Sequence, residues 1–306
     1  MASTDLFEEL RPPAFAIAYR MLGSVSEAED VVQEGLLRLH RTVEAGERVE
    51  SPRAYVATVV TRLAIDQFRS ARVRRETYTG EWLPEPLVAA EGDPAREAEL
   101  ADSLSFALLV VLESLSPEQR AAFLLREVFD YPYDRIAEIV GKSEDNVRQL
   151  TARARRHVEE RKPRYEPSVE LRDELAQRFI AAAREGELGQ LESLLAEDVV
   201  LHGDGGGKAP ALAKPLQGRS RVAKTLVAWA RTGERAGGVE FRPVEVNGQP
   251  GAIAIDVVEQ AILSVLVLDI ADGRIQAVSS VVNPDKLRHL GPLTDARAFL
   301  RRRSTS

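Results

Sequence analysis

The chain has 306 residues, 44% of them hydrophobic, with a formal net charge of −7, and its length and apolar content point to two or three globular domains. It has no cysteine and only four histidines, which excludes disulfides, thiolate ligands and cysteine nucleophiles and argues against a zinc site. No apolar run is long enough to span a bilayer and no basic-then-apolar leader is visible, so a soluble cytoplasmic protein without membrane contact is expected.

Residues 5–75 read as a helical block. Pro12-Pro13 is expected to begin or kink its first helix. Ser26-Glu27-Ala28-Glu29 has the form of a capping box, and Ala28, Val32, Leu36, Leu39 and Val43 recur along one face of the helix it would open. Asp30, Glu34 and Arg38 follow at i, i+4 and i+8 on another face. Ser51-Pro52 starts a further helix with Val56, Val59, Val60 and Leu63 as its buried stripe, while Arg62, Asp66 and Arg69 share the opposite side. Phe68 follows the stripe and is expected in the core. The acidic average hides a basic patch here: residues 53–75 carry Arg53, Arg62, Arg69, Arg72, Arg74 and Arg75 against one acid, Asp66.

Residues 77–103 read as a linker containing Pro84, Pro86 and Pro94 and several acids. Trp82-Leu83-Pro84-Glu85-Pro86-Leu87 sets Trp beside Leu, which a free linker seldom does, so this stretch is expected to dock on an apolar partner. Fully extended at ~3.3 Å per residue, the linker would reach ~90 Å. That exceeds two turns of B-DNA at about 34 Å each, so the flanking blocks could meet separate DNA sites while tethered.

Residues 104–163 hold a helix-turn-helix pattern. Ser116-Pro117-Glu118-Gln119 is a helix start, with a hydroxyl cap, Pro in the first turn and Gln three residues on, followed by Ala122, Leu125 and Val128. Tyr131-Pro132 breaks the chain, and Ile136, Ala137 and Val140 mark a short second helix. Gly141 can adopt the left-handed conformation and Ser143 can cap the third helix, whose apolar stripe is Val147, Leu150, Ala154 and Val158. Arg148, Gln149, Arg153, Arg155 and Arg156 lie off that stripe. A Gly turn leading into a basic helix is the arrangement that enters a DNA major groove, although an amphipathic core helix with a solvated face has the same periodicity. Residues 142–164 contain eight basic residues against four acids.

Residues 169–290 change character. A helix over 169–195 is marked by Leu171, Leu175, Phe179, Ala182 and Ala183, after which Val199, Leu201 and Gly203 alternate with Val200, His202 and Asp204 as a strand. Segments 239–246, 252–258, 262–269 and 274–282 are Val- and Ile-rich, with Asn247-Gly248 and Asp272-Gly273 as turns. Helices followed by a strand meander predict an α+β domain with one curved sheet. Residues 291–306 read as a mobile tail ending in Arg301-Arg302-Arg303. His202 and Asp204 at i, i+2 make a general acid/base pair conceivable, but no second such pair and no cofactor motif accompany them. Asp204-Gly205-Gly206-Gly207-Lys208 is not a phosphate-binding loop, because Ala209 follows the lysine in place of Ser or Thr. A close backbone approach or a hinge is the expected use of its glycines.

The first two blocks resemble bacterial RNA polymerase sigma factors of the extracytoplasmic-function (ECF) group. The resemblance rests on Ala28-Glu29-Asp30-Val31-Val32-Gln33-Glu34, on Ala64-Ile65-Asp66-Gln67-Phe68-Arg69 and on the helix-turn-helix at 133–157. Trp82-Leu83-Pro84-Glu85-Pro86, Asp204-Gly205-Gly206-Gly207-Lys208 and Asn283-Pro284-Asp285-Lys286-Leu287 are similar to signatures of the subgroup with a C-terminal SnoaL-like (NTF2-like) extension. The resemblance implies a multidomain fold: two all-α sigma domains, a region 2-like bundle (1–76) and a region 4-like helix-turn-helix (104–163), joined by the 77–103 linker. An α+β SnoaL-like cone domain (169–290) and the tail (291–306) follow.

It further implies core RNA polymerase as partner, through its largest-subunit clamp and its flap, with Asp30, Gln33, Glu34 and Arg38 gripping the clamp. Arg62, Asp66, Arg69, Arg72, Arg74 and Arg75 would serve the minus-10 element of promoter DNA. Ser143, Asn146, Arg148, Gln149, Arg153, Arg155 and Arg156 would serve the minus-35 element, with Arg155, Arg156 and Arg161 toward phosphate. Base identity at minus-10 would be set by the loop around 44–52. The C-terminal domain is expected to regulate the sigma blocks in cis through Trp82, Leu83 and Pro84, through Asp204, Gly205, Gly206, Gly207 and Lys208, and through Asn283, Pro284, Asp285, Lys286 and Leu287. A small ligand in the cone is conceivable; no cofactor, metal or catalytic residue is expected. The alternatives are a stand-alone helix-turn-helix repressor and a sigma-like chain whose last domain is an isomerase- or cyclase-type enzyme.

Overall fold

A computed structural model describes residues 2–76, 78–88, 104–160 and 168–302, with side chains from residue 6 to 71 in the first stretch. The backbone divides into two compact units, one of residues 1–76 with 90–162 and one of residues 77–89 with 163–306. The side chains of Arg72, Arg74 and Arg75, the linker beyond Val88, Arg161 and the chain after Arg302 lie outside the described residues.

The first unit is helical. Helices α1 (Ala2–Leu22), α2 (Val25–Glu44) and α3 (Pro52–Glu76) pack around Phe15, Tyr19, Leu22, Val32, Leu39, Val56, Val60 and Phe68. Helix α1 runs through Pro12 and Pro13. The cap of α2 is Ser24, two residues before the expected box, and its Oγ accepts from the Glu27 N–H at 3.2 Å. Gly23, at φ 64°, ends α1 and turns the chain straight into that cap. Val43, expected on the buried stripe, is exposed at the last turn of α2. Gly35 sets how closely α2 meets α3, since a Cβ there would lie 2.7 Å from Val60 Cγ2.

Helix α4 (Phe106–Leu112) precedes α5 (Pro117–Phe123), which opens with the expected reciprocal Ser116–Gln119 capping box and continues as a π-helical turn over Leu124–Val128. Helix α6 (Tyr133–Val140) ends at Gly141 with φ 68°, and Ser143 caps α7 (Glu144–Glu159) by accepting from Asn146 N–H. Ala122, Leu125, Ile136, Ile139 and Val147 form the core of this helix-turn-helix.

Within this unit the two helical blocks pack on each other, a contact that the reading of two tethered blocks able to meet separate DNA sites does not include. Arg62 Nε donates to the Ile139 carbonyl at 3.0 Å and its Nη2 to that of Glu138 at 2.8 Å. The last carbonyls of a helix lack partners within it, so a guanidinium at the end of α6 satisfies them and complements the helix dipole. Arg69 pairs with Glu118, and Arg120, fully buried, donates to the Arg20 carbonyl at 2.9 Å and to Glu113.

In the second unit, the single helix expected over 169–195 is two: α8 (Val169–Glu185) and α9 (Leu188–Leu194), separated by Gly186 at φ 67°. Leu171 is exposed near the start of α8, whereas Leu175, Phe179, Ala182 and Ala183 are buried. Strand β1 (Leu195–Asp204) starts directly after α9; β2 (Leu216–Gln217), β3 (Val239–Val246), β4 (Gln249–Asp256), β5 (Ala261–Ala271) and β6 (Arg274–Val281) follow. Helix α10 (Arg219–Arg235), between β2 and β3, has no counterpart among the sequence expectations. The sheet order is β2-β1-β6-β5-β4-β3, an antiparallel meander of β3 to β6 closed by β1 parallel to β6. Val199, Leu201, Leu268 and Val278 face a core shared with Phe179, Val222 and Leu226 from the helices. Beyond β6 the chain is not free as far as Arg302: Thr294 N–H donates to the Ile262 carbonyl, and helix α11 (Ala296–Arg301) buries Phe299.

Candidate functional site

The clamp-side candidates occupy one side of α2. Asp30, Gln33 and Arg38 are exposed, and Glu34, half-buried, accepts from Arg38 Nε at 2.7 Å. That i, i+4 pair contributes only about 0.3–0.5 kcal/mol to the helix, so stability alone gives little reason for charges at these positions.

On α3 the arginines are divided. Arg62 and Arg69 face the helix-turn-helix and are occupied by it, while Asp66 accepts from Arg69 Nη1 at 3.1 Å. The Glu118 hydrogen bond raises the Arg69 pKa further above its ordinary value; burial alone would raise that of Glu118, but Arg69 outweighs it and holds the carboxyl below the usual carboxylate value. The pair is therefore ionised at neutral pH.

Helix α7 presents Asn146, Arg148, Gln149, Arg153, Arg155 and Arg156 on its exposed side, with Val147, Thr151, Ala154 and Val158 buried behind them. Ser143 is exposed, with its hydroxyl used as the cap. Arg148 pairs with Glu144 and stacks on the Tyr133 ring at 4.3 Å, and Arg155 pairs with Glu127 at 2.5 Å. Both are exposed contacts of the kind water and salt readily replace.

The second unit holds a different kind of site, made from segments far apart in sequence. Linker residues 78–88 lie against the C-terminal sheet. Asp204 is fully buried at the end of β1; it accepts from the Tyr78 hydroxyl at 2.5 Å, the Leu83 N–H at 2.9 Å, Gly206 N–H at 3.0 Å and Lys286 Nζ at 2.6 Å. Lys286 also donates to the Leu83 carbonyl, and its ammonium stands 3.9 Å from the Trp82 ring centroid and 5.3 Å from that of Tyr78. A cation over desolvated aromatic faces gains electrostatic energy from the ring quadrupoles. Burial, and then the Asp204 carboxylate, push the Tyr78 phenol well above its ordinary pKa, so it stays a donor.

Asn283 completes this cluster by donating to the Tyr78 oxygen at 2.8 Å, and its own Oδ1 accepts from Asp285 N–H. Lys208 pairs with Asp285, which ties the glycine loop to the 283–287 segment. The glycines serve close approach: a Cβ on Gly205 would lie 2.1 Å from the Ala209 carbonyl oxygen, and one on Gly206, at φ 58°, would lie 2.3 Å from Asn283 Nδ2. Pro84 and Leu87 are buried, as is Leu287, and Pro284 opens a short 3-10 turn. All three segments singled out in the sequence thus meet in one cluster.

Four participants were not legible in the sequence. Glu81 accepts from His202 Nδ1 at 2.8 Å, and Asn247, read only as a turn residue, accepts from Leu87 N–H at 3.0 Å and donates its own N–H to the Leu87 carbonyl. His289 Nε2 donates to the Pro86 carbonyl at 2.9 Å, and Tyr78 is the fourth. Val88 pairs with Val246 on β3, so the linker covers the edge of the sheet.

His202 and Asp204, the conceivable acid/base pair, are both engaged by the linker. Both lie on the sheet face that carries the linker, opposite the face of Val199 and Leu201, and both are held by linker groups. They do not line the cavity on the inner face, whose ionisable lining residues are Arg184, Glu185 and Glu234. Among the described residues no three His, Asp or Glu side chains cluster in a way that could hold a metal ion, and no helix is long and apolar enough to cross a membrane.

A three-helix block bearing an acidic and basic α2 face, joined to a helix-turn-helix with a basic recognition helix, defines a sigma-type transcription module. The family models agree: Sigma-70 region 2 matches residues 6–74 and Sigma-70, region 4 matches residues 105–158. The chain is 37% identical to the ECF RNA polymerase sigma factor SigJ of Mycobacterium tuberculosis over 95% of each chain. It is 33% identical to the probable ECF sigma factor SigI of the same species over 89% of this chain and 90% of that one. The crystal structure of SigJ superposes with a TM-score of 0.77 at 35% identity, covering 95% of this chain and all of that one. The chain belongs to the ECF RNA polymerase sigma factors, in the subgroup whose sigma domains are followed by an α+β SnoaL-like (NTF2-like) extension. It is a sigma factor that directs core RNA polymerase to promoter DNA.

Proposed function

We propose that the C-terminal unit controls this sigma factor in cis by holding the linker between its two promoter readers. The observation that carries the reading is the buried Lys286–Asp204 pair clasping Leu83 and Trp82. With residues 78–88 held, the extensible linker shrinks to residues 89–103, which reach only ~50 Å at ~3.3 Å per residue. The domain scheme is 1–76 as region 2, 104–163 as region 4 and 169–290 as regulator. The packed helical blocks are the resting form, in which Arg62 and Arg69 are withheld from DNA; opening frees them, with Arg72, Arg74 and Arg75, to follow the minus-10 backbone.

In this scheme Asp30, Gln33, Glu34 and Arg38 meet the clamp of the largest subunit, the helix-turn-helix meets the flap, and α7 reads minus-35. The C-terminal unit regulates and does not catalyse, supported by the capture of His202 and Asp204 by the linker. The protein works in the cytoplasm, at the nucleoid when in holoenzyme. Run-off transcription with core polymerase tests the control: Leu83→Asp, which expels the linker, should change promoter activity severalfold at equal polymerase binding. Identical activity at every concentration would sink the cis-control reading while leaving the sigma assignment intact.

Arg148 and Gln149 sit where bidentate contacts to base edges are made, each worth about 1–3 kcal/mol of discrimination. Arg148→Ala should therefore lower promoter-specific transcription about tenfold or more while co-purification with core polymerase is retained. Parallel loss of both activities counts against a base-reading role.

A further inference from the structure

Helix α10 has a buried side and a charged one. Val222, Ala223, Leu226, Val227 and Gly233 face the core. On the opposite side Arg221, Lys224, Ala228, Arg231 and Arg235 follow at i, i+3, i+7, i+10 and i+14, a single line along the helix, and all are exposed. At about 1.5 Å per residue the line is ~21 Å long.

Elsewhere the chain neutralises cations on its solvated helix sides. Arg38, Arg148 and Arg178 each pair with a glutamate four residues earlier, Glu34, Glu144 and Glu174. Helix α10 does not. Among the described residues no carboxylate lies within ion-pair distance of Arg221, Lys224, Arg231 or Arg235. Arg221 reaches the Gln217 carbonyl at 3.5 Å, and Arg235 the Arg231 carbonyl and the Thr232 hydroxyl, each at 3.2 Å. Like charges three or four residues apart weaken a helix about as much as opposite ones strengthen it. The first turn holds Arg219 and Arg221 and no acid, which opposes the helix dipole as well. Folding therefore gains nothing from this line of charge, whereas an anionic partner gains from every member of it.

The tether points to which anion. Residues 160–167 separate α7 from the cap of α8, and that stretch spans ~30 Å at most when fully extended. DNA held by α7 is thus presented to the C-terminal unit at high effective concentration. This choice of partner rests on α7 as the minus-35 reader; the charges themselves do not. Arg221, Arg231 and Arg235 carry the planar fork that matches phosphate oxygens. The pairs Arg221 with Lys224 and Arg231 with Arg235 are centred about 16 Å apart along the axis, against a major groove about 12 Å wide. A helix laid across that groove sets one pair on each bordering strand, with the small Ala228 between them.

We propose that α10 is a further DNA contact of this sigma factor, gripping the phosphate backbone of the duplex beside the minus-35 element without reading its sequence. It adds affinity and leaves the choice of promoter to the sigma domains.

The test is fluorescence anisotropy of the full chain with labelled duplexes of promoter and of random sequence, between about 50 and 200 mM salt. Each phosphate neutralised on B-DNA adds about 0.9 to the slope of log K against log salt. Replacing Arg221, Lys224, Arg231 and Arg235 together by Gln, a good helix former, should flatten that slope by about 2–4 and weaken binding about tenfold or more at low salt. Arg221→Lys, Arg231→Lys and Arg235→Lys together should keep the slope, which a merely misfolded α10 would not. The glutamine variant should retain the preference for promoter over random duplex. Arg148→Ala should lose it, so failure of the minus-35 reading and failure of this contact are seen separately. An unchanged slope and affinity in the glutamine variant overturns the contact, and a changed promoter preference there overturns its backbone role. Equally tight binding of a labelled polyglutamate peptide, lost in the same variant, overturns DNA as the partner and assigns the charges to an acidic protein surface.

Discussion

Lys286→Met is expected to destabilise the C-terminal unit by about 3–5 kcal/mol, because removing one partner of a buried ion pair leaves the other charge uncompensated. Asp204 would keep Tyr78, Leu83 N–H and Gly206 N–H as donors but lose, among the described residues, its one cationic donor in a site fully shielded from solvent. At about 2–4 °C per kcal/mol for a unit of 150–250 residues, the calorimetric transition should fall by roughly 6–20 °C. The same variant should expose residues 78–88 to proteolysis, since Lys286 also holds the Leu83 carbonyl and the Trp82 ring. Adding Asp204→Asn to Lys286→Met should recover part of the loss, as neutralising both members removes the stranded charge. A single variant as stable and as protease-resistant as the parent would mean that the linker is not clasped in solution.

Arg120→Met should have an effect of similar size on the helical unit, about 3–5 kcal/mol. Its guanidinium is fully buried, bonded to the Arg20 carbonyl and Glu113, and stacked 4.9 Å from the Phe68 ring centroid. It therefore joins α1, α3 and the chain leading into the helix-turn-helix. Methionine keeps much of the stem but none of the donors. Arg120→Lys should rescue little, because a point charge cannot reproduce the planar fork that meets carbonyl, carboxylate and ring together. Thermal unfolding of both variants, monitored by far-UV circular dichroism, decides this: full stability in Arg120→Lys would show that charge alone matters.

What could be read from the sequence followed the range of the interaction. The Ser116–Gln119 box and the Gly141–Ser143 turn and cap were legible because every partner lies within a few residues. Ser24 was not, because Ser26 two positions on offers a similar spacing and only the turn at Gly23 decides between them. Helix α10 carries no start signal: its cap is Gly218, with no side-chain hydrogen bond, and the apolar Trp229 breaks the polar side by facing the cavity. By sequence Arg62 and Arg69 belong with the arginines that would serve minus-10 DNA, yet their partners are 76, 77 and 49 residues away, beyond any local pattern. The same holds for Tyr78 and Asp204, 126 residues apart. The three segments of the linker cluster were singled out by likeness to a family, and nothing in their own periodicity says that they touch.

The end of β1 makes one further demand on this protein's history. Gly203 lines the cavity and the next residue, Asp204, grips the linker on the far side of the same strand. Because strand side chains alternate, inserting or deleting one residue upstream in β1 would send every later side chain to the wrong face at once. Such an indel would turn the carboxylate into the apolar hollow and leave Lys286 without its anion. Substitutions at the hollow can be sampled one at a time, but the length of this strand cannot. Across descendants of this chain, β1 should therefore drift in composition while its residue count stays constant.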